Sequence, residues 1–160
     1  MGSASRTGSP LDAIGSIQEE RMIPNQYPDD STISNDAILW RRIHPLWIVA
    51  DDNTGSLRVS SAAFDNSSDG TPTSVHLETV ATAYGISADA ILESFSGFGM
   101  ASLTAGIARL VNQTVLPAPR NNDPSHGFIA GAKTKSVKKS LARACVWVGT
   151  PPSAGPRVGS

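Results

Sequence analysis

The stretch "HGFIAGAKTKSVKKSLARACVWV", His126 to Val148, constrains the fold more than any other part of the chain. Its opening residues, His126 to Gly131, form a short apolar run of strand length. From Thr134 the apolar spacing changes. Val137, Leu141, Cys145 and Val148 follow one another at four, four and three residues, the face of a closing amphipathic helix. A strand of period two and a helix of period 3.6 in immediate succession belong to a domain that mixes both elements.

The remaining text repeats that alternation on a smaller scale. Leu39–His44 reads as a strand stopped by Pro45, with Leu46–Val49 a short apolar continuation. Asp51–Ser56 is a turn cluster and Leu57–Phe64 a second strand. Ser74–Leu77 reads as a strand. Val80, Ala83 and Tyr84 then take helical spacing up to Gly85, and Ser87 caps a further short helix. Met100–Thr104 followed by Ala105–Val111 reads either as strand then helix, or as one helix that carries a glycine at a cost of about 1 kcal/mol. Thr114–Pro119 is extended. The expected fold is α+β: a single small domain of short strands and helices closing with the C-terminal helix.

Both ends look different from this middle. Residues 1–36 are rich in Ser, Gly, Pro, Asn and Asp without a sustained period, so a disordered acidic tail is expected there. Residues 149–160 are Pro/Gly-rich and are expected to be disordered as well, leaving 37–148 as the folded domain. The net charge is −1, but it is unevenly spread: the leading segment is acidic, while Arg120 to Arg143 holds six cations against Asp123 alone. Cys145 is the single cysteine, which excludes a disulfide framework and a cysteine-based zinc site. No apolar run approaches a membrane span and the opening residues lack a secretory pattern, so a soluble cytoplasmic protein is expected.

The chemistry on offer concentrates at the basic end. A P-loop needs G-x-x-x-x-G-K-[ST]. Here Gly127 and Gly131 are one residue too close, and Ala132 intervenes before Lys133 and Thr134. What remains is an anion perch made by His126, Gly131, Lys133, Thr134 and Lys135: a glycine permits close approach, Thr134 caps a helix, and lysines sit where the helix dipole disfavours cations. Exposed, solvated lysines are the bland alternative. The three histidines, His44, His76 and His126, match no metal-site spacing, and no cofactor is implied. A second constellation would gather Arg42, His44, Ser61, Glu78 and His126 in one cleft for a nucleotide or dinucleotide. In it Arg and His hold phosphate, and Glu78 is one of only two glutamates available in the domain. Nucleic acid is not favoured, because the aromatic residues lie within apolar runs rather than on a basic surface.

The segments "LWRRIHP", "VSSAAFD", "GFGMASLTAGIARLV" and "DPSHGFIAGAKTKSVKKSLARACVWV" together resemble a family of small bacterial proteins to which no activity is attached. Such proteins share a start like R-R-x-H-P, a strand like P-S-S-x-A-F and an ending like N-P-A-H-x-x-V-x-G-K-K-T. This chain departs from that pattern with Val59, with Asp123-Pro124-Ser125, and with Ala132 in place of the first lysine. The order of an Arg/His strand followed by a Ser-bearing strand resembles, more distantly, an ADP-ribosyltransferase-like dinucleotide site, without an assured catalytic glutamate. The leading expectation is a non-enzymatic binding or adaptor protein that contacts a phosphate-bearing ligand or acidic protein at the 126–135 corner. The alternative is a nucleotide-using transferase or hydrolase.

Overall fold

The structure, a computed structural model, describes residues 26–149. Among them lie eight strands: β1 (Ile38–Ile43), β2 (Ile48–Ala50), β3 (Leu57–Val59), β4 (Thr73–Leu77), β5 (Gly99–Thr104), β6 (Thr114–Pro117), β7 (His126–Ala130) and β8 (Val146–Trp147). Four α-helices accompany them: α1 (Glu78–Ala83), α2 (Ala88–Leu92), α3 (Ala105–Leu110) and α4 (Lys135–Ala144). The architecture is α+β. Six strands form one antiparallel sheet in the order β6-β7-β4-β1-β5-β8, and β2 and β3 form a separate hairpin. No helix among the described residues is long and apolar enough to cross a membrane.

Strand alternation divides the sheet into two chemically different faces. Leu39 and Ile43 of β1 point to the inner face, where they join Val75, Leu103, Val115 and Ile129 from neighbouring strands. Leu141 and Ala142 of α4, Ala105 and Ala108 of α3, and Phe64 from a 3-10 turn (Ser61–Phe64) close over this layer. The outer face is covered only in part. Trp40 and Met100 pack there against Ala81, Ile86, Ile91 and Leu92 of the α1–α2 region. The β4–β7 half of that face carries Ser74, His76 and His126 instead.

Local capping explains where the elements stop. The His44 imidazole accepts a hydrogen bond from the Leu46 amide (3.0 Å), and Pro45 opens a 3-10 turn, Pro45–Trp47. Ser60 caps the turn Ser61–Phe64 through the Ala62 amide (3.2 Å). The expected strand Leu57–Phe64 therefore ends at Val59, and the expected apolar continuation after Pro45 is a turn leading into β2. Thr104 ends β5 and caps α3 through the Ile107 amide, so the ambiguous stretch 100–111 is strand then helix. Thr134 caps α4 through Val137. That helix stops at Ala144, and Cys145 is already extended. Val146 and Trp147 pair with Ser102 and Ala101 of β5, and the Trp147 indole donates to the Leu57 carbonyl (3.1 Å). Val148 thus leaves the helix face on which its spacing put it, because the sheet edge takes this segment.

The folded unit also begins before Ala37. Asp29 accepts hydrogen bonds from the Val115 amide (2.9 Å) and the Arg109 guanidinium (3.0 Å), and the Asp30 amide donates to the Val115 carbonyl (2.9 Å). Arg109 reaches Asn35 and the Asp30 carbonyl as well, and Thr114 donates to the Tyr27 carbonyl. Residues 26–36 therefore run along the outer edge of β6 and take both backbone groups of Val115. The expected tail of 1–36 is corrected for these residues; residues 1–25 and 150–160 lie outside the described part.

One charged side chain of the sheet sits on the apolar face, beside the buried Thr73 hydroxyl. Arg41 shares the inner face with Leu39 and Ile43. Its guanidinium donates twice to the Ala63 carbonyl (3.0 and 2.8 Å) and once to the Ser74 carbonyl (3.0 Å), with the Trp47 ring 5.3 Å away. Burial pulls it down to about 10, and it stays charged at neutral pH. Replacing Arg41 by Met strands both carbonyls and is expected to lower the unfolding free energy by roughly 3 kcal/mol. Arg41→Lys is expected to recover less than half of that, because an ammonium lacks the planar fork that spans two acceptors. Urea denaturation with an unchanged slope is the measurement.

Candidate functional site

The outer face places an uncommon set of polar groups side by side. β4 and β7 pair with His76 opposite His126, and Ser74 opposite Phe128. The register of β1 on β4 sets Trp40 against His76, so Arg42 lies across from Ser74. Both imidazoles are buried, at 5% and 1% exposure, although they belong to a polar patch. A tight turn, Arg120–Asp123, closed by reciprocal backbone hydrogen bonds, brings one cation and one carboxylate to the same patch.

Each imidazole is fixed on one side. His126 Nδ1 lies 2.8 Å from the Ala118 carbonyl and must carry a proton there, so Nε2, 3.0 Å from the Ser74 hydroxyl, accepts in the neutral form. His76 Nδ1 lies 3.2 Å from the Ser125 hydroxyl and 3.5 Å from an Asp123 oxygen, and Ser125 donates to that same carboxylate (3.1 Å). Among the described residues no hydrogen bond reaches His76 Nε2. Burial pulls both histidines below their ordinary range; Asp123 acts against this, while Arg42 acts with it.

Arg42 differs from its neighbour Arg41 in having no acceptor among the described residues. Its guanidinium lies over the Phe95 ring at 4.0 Å from the centroid, half-buried. None of the hydrogen bonds or ion pairs among the described residues uses its N–H groups. Desolvation lowers its pKa, Asp123 opposes that, and Arg120 adds to it. Phe95 in turn contacts Phe98, and Phe98 contacts the His44 ring (5.1 Å), so the guanidinium rests on an aromatic row.

The 126–135 corner is taken apart by the same geometry. His126 begins β7 and Gly131 follows its end, which separates them by roughly 15 Å of strand. The Lys133 ammonium donates to Asn66 Oδ1 (3.0 Å), the Ile129 carbonyl (3.0 Å) and the Gly131 carbonyl (3.2 Å), so all its protons are engaged. Burial pulls it down to about 8. Gly131, at φ 144°, faces Gln113: a Cβ there would lie 2.8 Å from the Gln113 carboxamide. The glycine admits a protein side chain, not a ligand. Thr134 is spent on its cap and Lys135 is exposed.

The nucleotide constellation also divides. Arg42 and His126 share the outer face. His44 is a turn cap beyond the end of β1, Ser61 lies on the inner-face side beside α4, and Glu78 opens α1 next to Ser34 and Asp36. Sequence reasoning preferred His44 to His76 and passed over Ser74, Ser125, Asp123 and Arg120. The period-two position of His76 in "SVHL" was a readable signal, but its pairing with His126 is set by non-local register. No group of three or more His, Cys, Asp or Glu among the described residues is arranged to hold a metal ion. Comparisons with protein-family models, characterised proteins and solved structures find no match.

Because both histidines are held neutral, their folded pKa values lie below the unfolded value near 6.5. The unfolded chain then binds more protons than the native one as pH falls below that point, so stability present above about pH 6.5 is lost on acidification. Thermal unfolding is expected to show a lower midpoint at pH 5.5 than at pH 7.5, in a range where carboxylates are still ionised. His76→Asn is expected to flatten that dependence. A midpoint that rises toward pH 5.5 would mean the imidazoles are charged in the native state.

Proposed function

We propose that the protein binds an oxyanion-bearing ligand, phosphate or carboxylate, on the outer face of its sheet, with the Arg42 guanidinium as the principal contact. The observation that carries this reading is the unmet hydrogen-bonding capacity of Arg42. A guanidinium offers five N–H donors in a plane that matches a carboxylate or phosphate bidentately. Phe95 holds this one, and no described acceptor takes it. Arg120 adds charge from the adjoining turn.

This keeps the class of ligand that the sequence implies and moves its contact. Lys133 serves the fold, so the anion site belongs at Arg42 and not at the 126–135 corner. The resemblance to small bacterial proteins brings no activity with it. A second reading, an enzyme acting on a nucleotide, draws on a different observation: Asp123 and Ser125 orient His76, and no hydrogen bond among the described residues reaches its Nε2. An imidazole so held is suited to move a proton.

The test is a thermal-shift series with sulfate, mononucleotides, dinucleotides and an acidic peptide at low ionic strength, since a ligand of the native state raises its midpoint. At least one oxyanion is expected to raise the wild-type midpoint by several degrees, and Arg42→Gln to remove at least nine-tenths of that shift. Arg120→Gln is expected to weaken it by a few-fold, as a distant charge would. An undiminished shift in Arg42→Gln defeats the reading. Turnover of a bound nucleotide that His76→Asn abolishes, with binding intact, would favour the enzyme.

A further inference from the structure

The opposite side of the molecule holds a second concentration of unmatched charge, and it does not involve Arg42. A cleft of about 380 Å³ lies between α4, β3 and the turn Ser61–Phe64. Arg58, Lys139, Arg143, Ser60 and Ser61 line it, with Asp51 at its margin. Its volume falls within the range of small-ligand sites.

The charges of this wall are not balanced within the fold. Lys139 and Arg143 stand at i and i+4 on α4, where like charges face one another at a cost of a few tenths of a kcal/mol. Two other cations of the same region are matched: Lys138 pairs with Asp65 (2.5 Å), and Lys133 is enclosed by its three acceptors. Lys139 and Arg143 take part in none of the ion pairs among the described residues. Asp51 reaches Arg58 (3.6 Å) through Oδ1, while its other oxygen holds the turn through Asn53, Thr54 and the Thr54 hydroxyl. Thr54 first, then Asn53 and Arg58, keep that carboxylate below its ordinary range, so it stays ionised and committed. Three cations face one engaged anion.

Two serines add hydroxyls to the same wall. The Ser60 oxygen accepts from the Ala62 amide, and among the described residues no hydrogen bond uses the Ser61 hydroxyl. Arg58, Lys139, Arg143 and Ser61 together offer what a dianionic phosphate requires: multiple positive charges, a bidentate fork and a hydroxyl donor.

We propose that this cleft is a phosphate-binding site for a small phosphomonoester, in which Lys139, Arg143 and Arg58 hold the dianion and Ser61 donates to it. The remaining volume takes the organic part of a ligand about the size of a sugar phosphate. The site is independent of the outer-face reading, and the two fail separately.

The experiment titrates ¹⁵N-labelled full-length chain with inorganic phosphate, ribose 5-phosphate and ribose at constant low ionic strength. The two phosphates are expected to shift the amides of Ser61, Lys139 and Arg143, and ribose to leave them unmoved. The double variant Lys139→Gln with Arg143→Gln is expected to weaken phosphate binding at the cleft, read from the Ser61 amide, at least tenfold. Lys139 and Arg143 are exposed, so the double variant is expected to fold, and the wild-type shifts locate the site without it. No amide shift at the cleft with millimolar phosphate, shifts confined to the Arg42 face, or an undiminished affinity in the double variant would each overturn the proposal.

Discussion

The partly buried Arg41 guanidinium ties the sheet to the loops that pack on it. Arg41 lies on the apolar face without a carboxylate, and its charge is compensated by the Ala63 and Ser74 carbonyls and the Trp47 ring. Burying a cation is unfavourable unless hydrogen bonds replace its water. The turn Ser61–Phe64 must therefore sit where the Ala63 carbonyl can accept, and this delivers Phe64 to the centre of the core. β4 must likewise present the Ser74 carbonyl. One side chain thus links β1, β4 and the connection after β3, elements far apart along the chain.

The same bookkeeping sorts the remaining cations. Arg109 binds the segment that covers β6, Lys138 binds Asp65, and Lys133 closes the loop after β7 onto Asn66. These charges serve architecture. Arg42, Arg120, Lys139 and Arg143 enter no ion pair among the described residues and lie on surfaces that also carry hydroxyls or imidazoles. In a chain of net charge −1, unmatched cations of this kind are not a by-product of a basic composition. They are where an anion has most to gain.

Much of the fold was legible in the sequence because its elements are announced locally. Ser87 and Thr134 cap the helices they precede, Gly85 at φ 70° ends α1, and the change of period after Gly131 separates β7 from α4. Less was legible of the site, since it depends on register. Nothing within "SVHL" or "SHGF" says that His76 will stand opposite His126, and that pairing arises from two antiparallel matches remote in sequence. Residues 26–36 were misread for a related reason: a segment without period looks unable to fold, yet it is ordered by side-chain and backbone bonds to a strand edge that only tertiary structure creates. Lys133 misled by type. A lysine beside a glycine at a helix entrance looks like a phosphate ligand until its three acceptors are counted.

Arg41 and Arg42 make the limit of motif reading concrete. They are adjacent and chemically identical, and alternation sends one to each face. The first is consumed by the fold; the second is left with an aromatic support and open donors. The segments "RRIHP" and "SSAAF" behave likewise, since His44 and Ser60 are caps, while Ser61 lines a cleft without a capping bond. Each short motif therefore mixes a residue that fixes the backbone with one that the fixed backbone presents. This makes the two roles physically dependent. Arg41 ties β1 to β4 and to the turn Ser61–Phe64, and the register of that β1–β4 pair sets Arg42 across from Ser74. A change at Arg41 should then disturb the outer face through geometry, without any contact to whatever binds there.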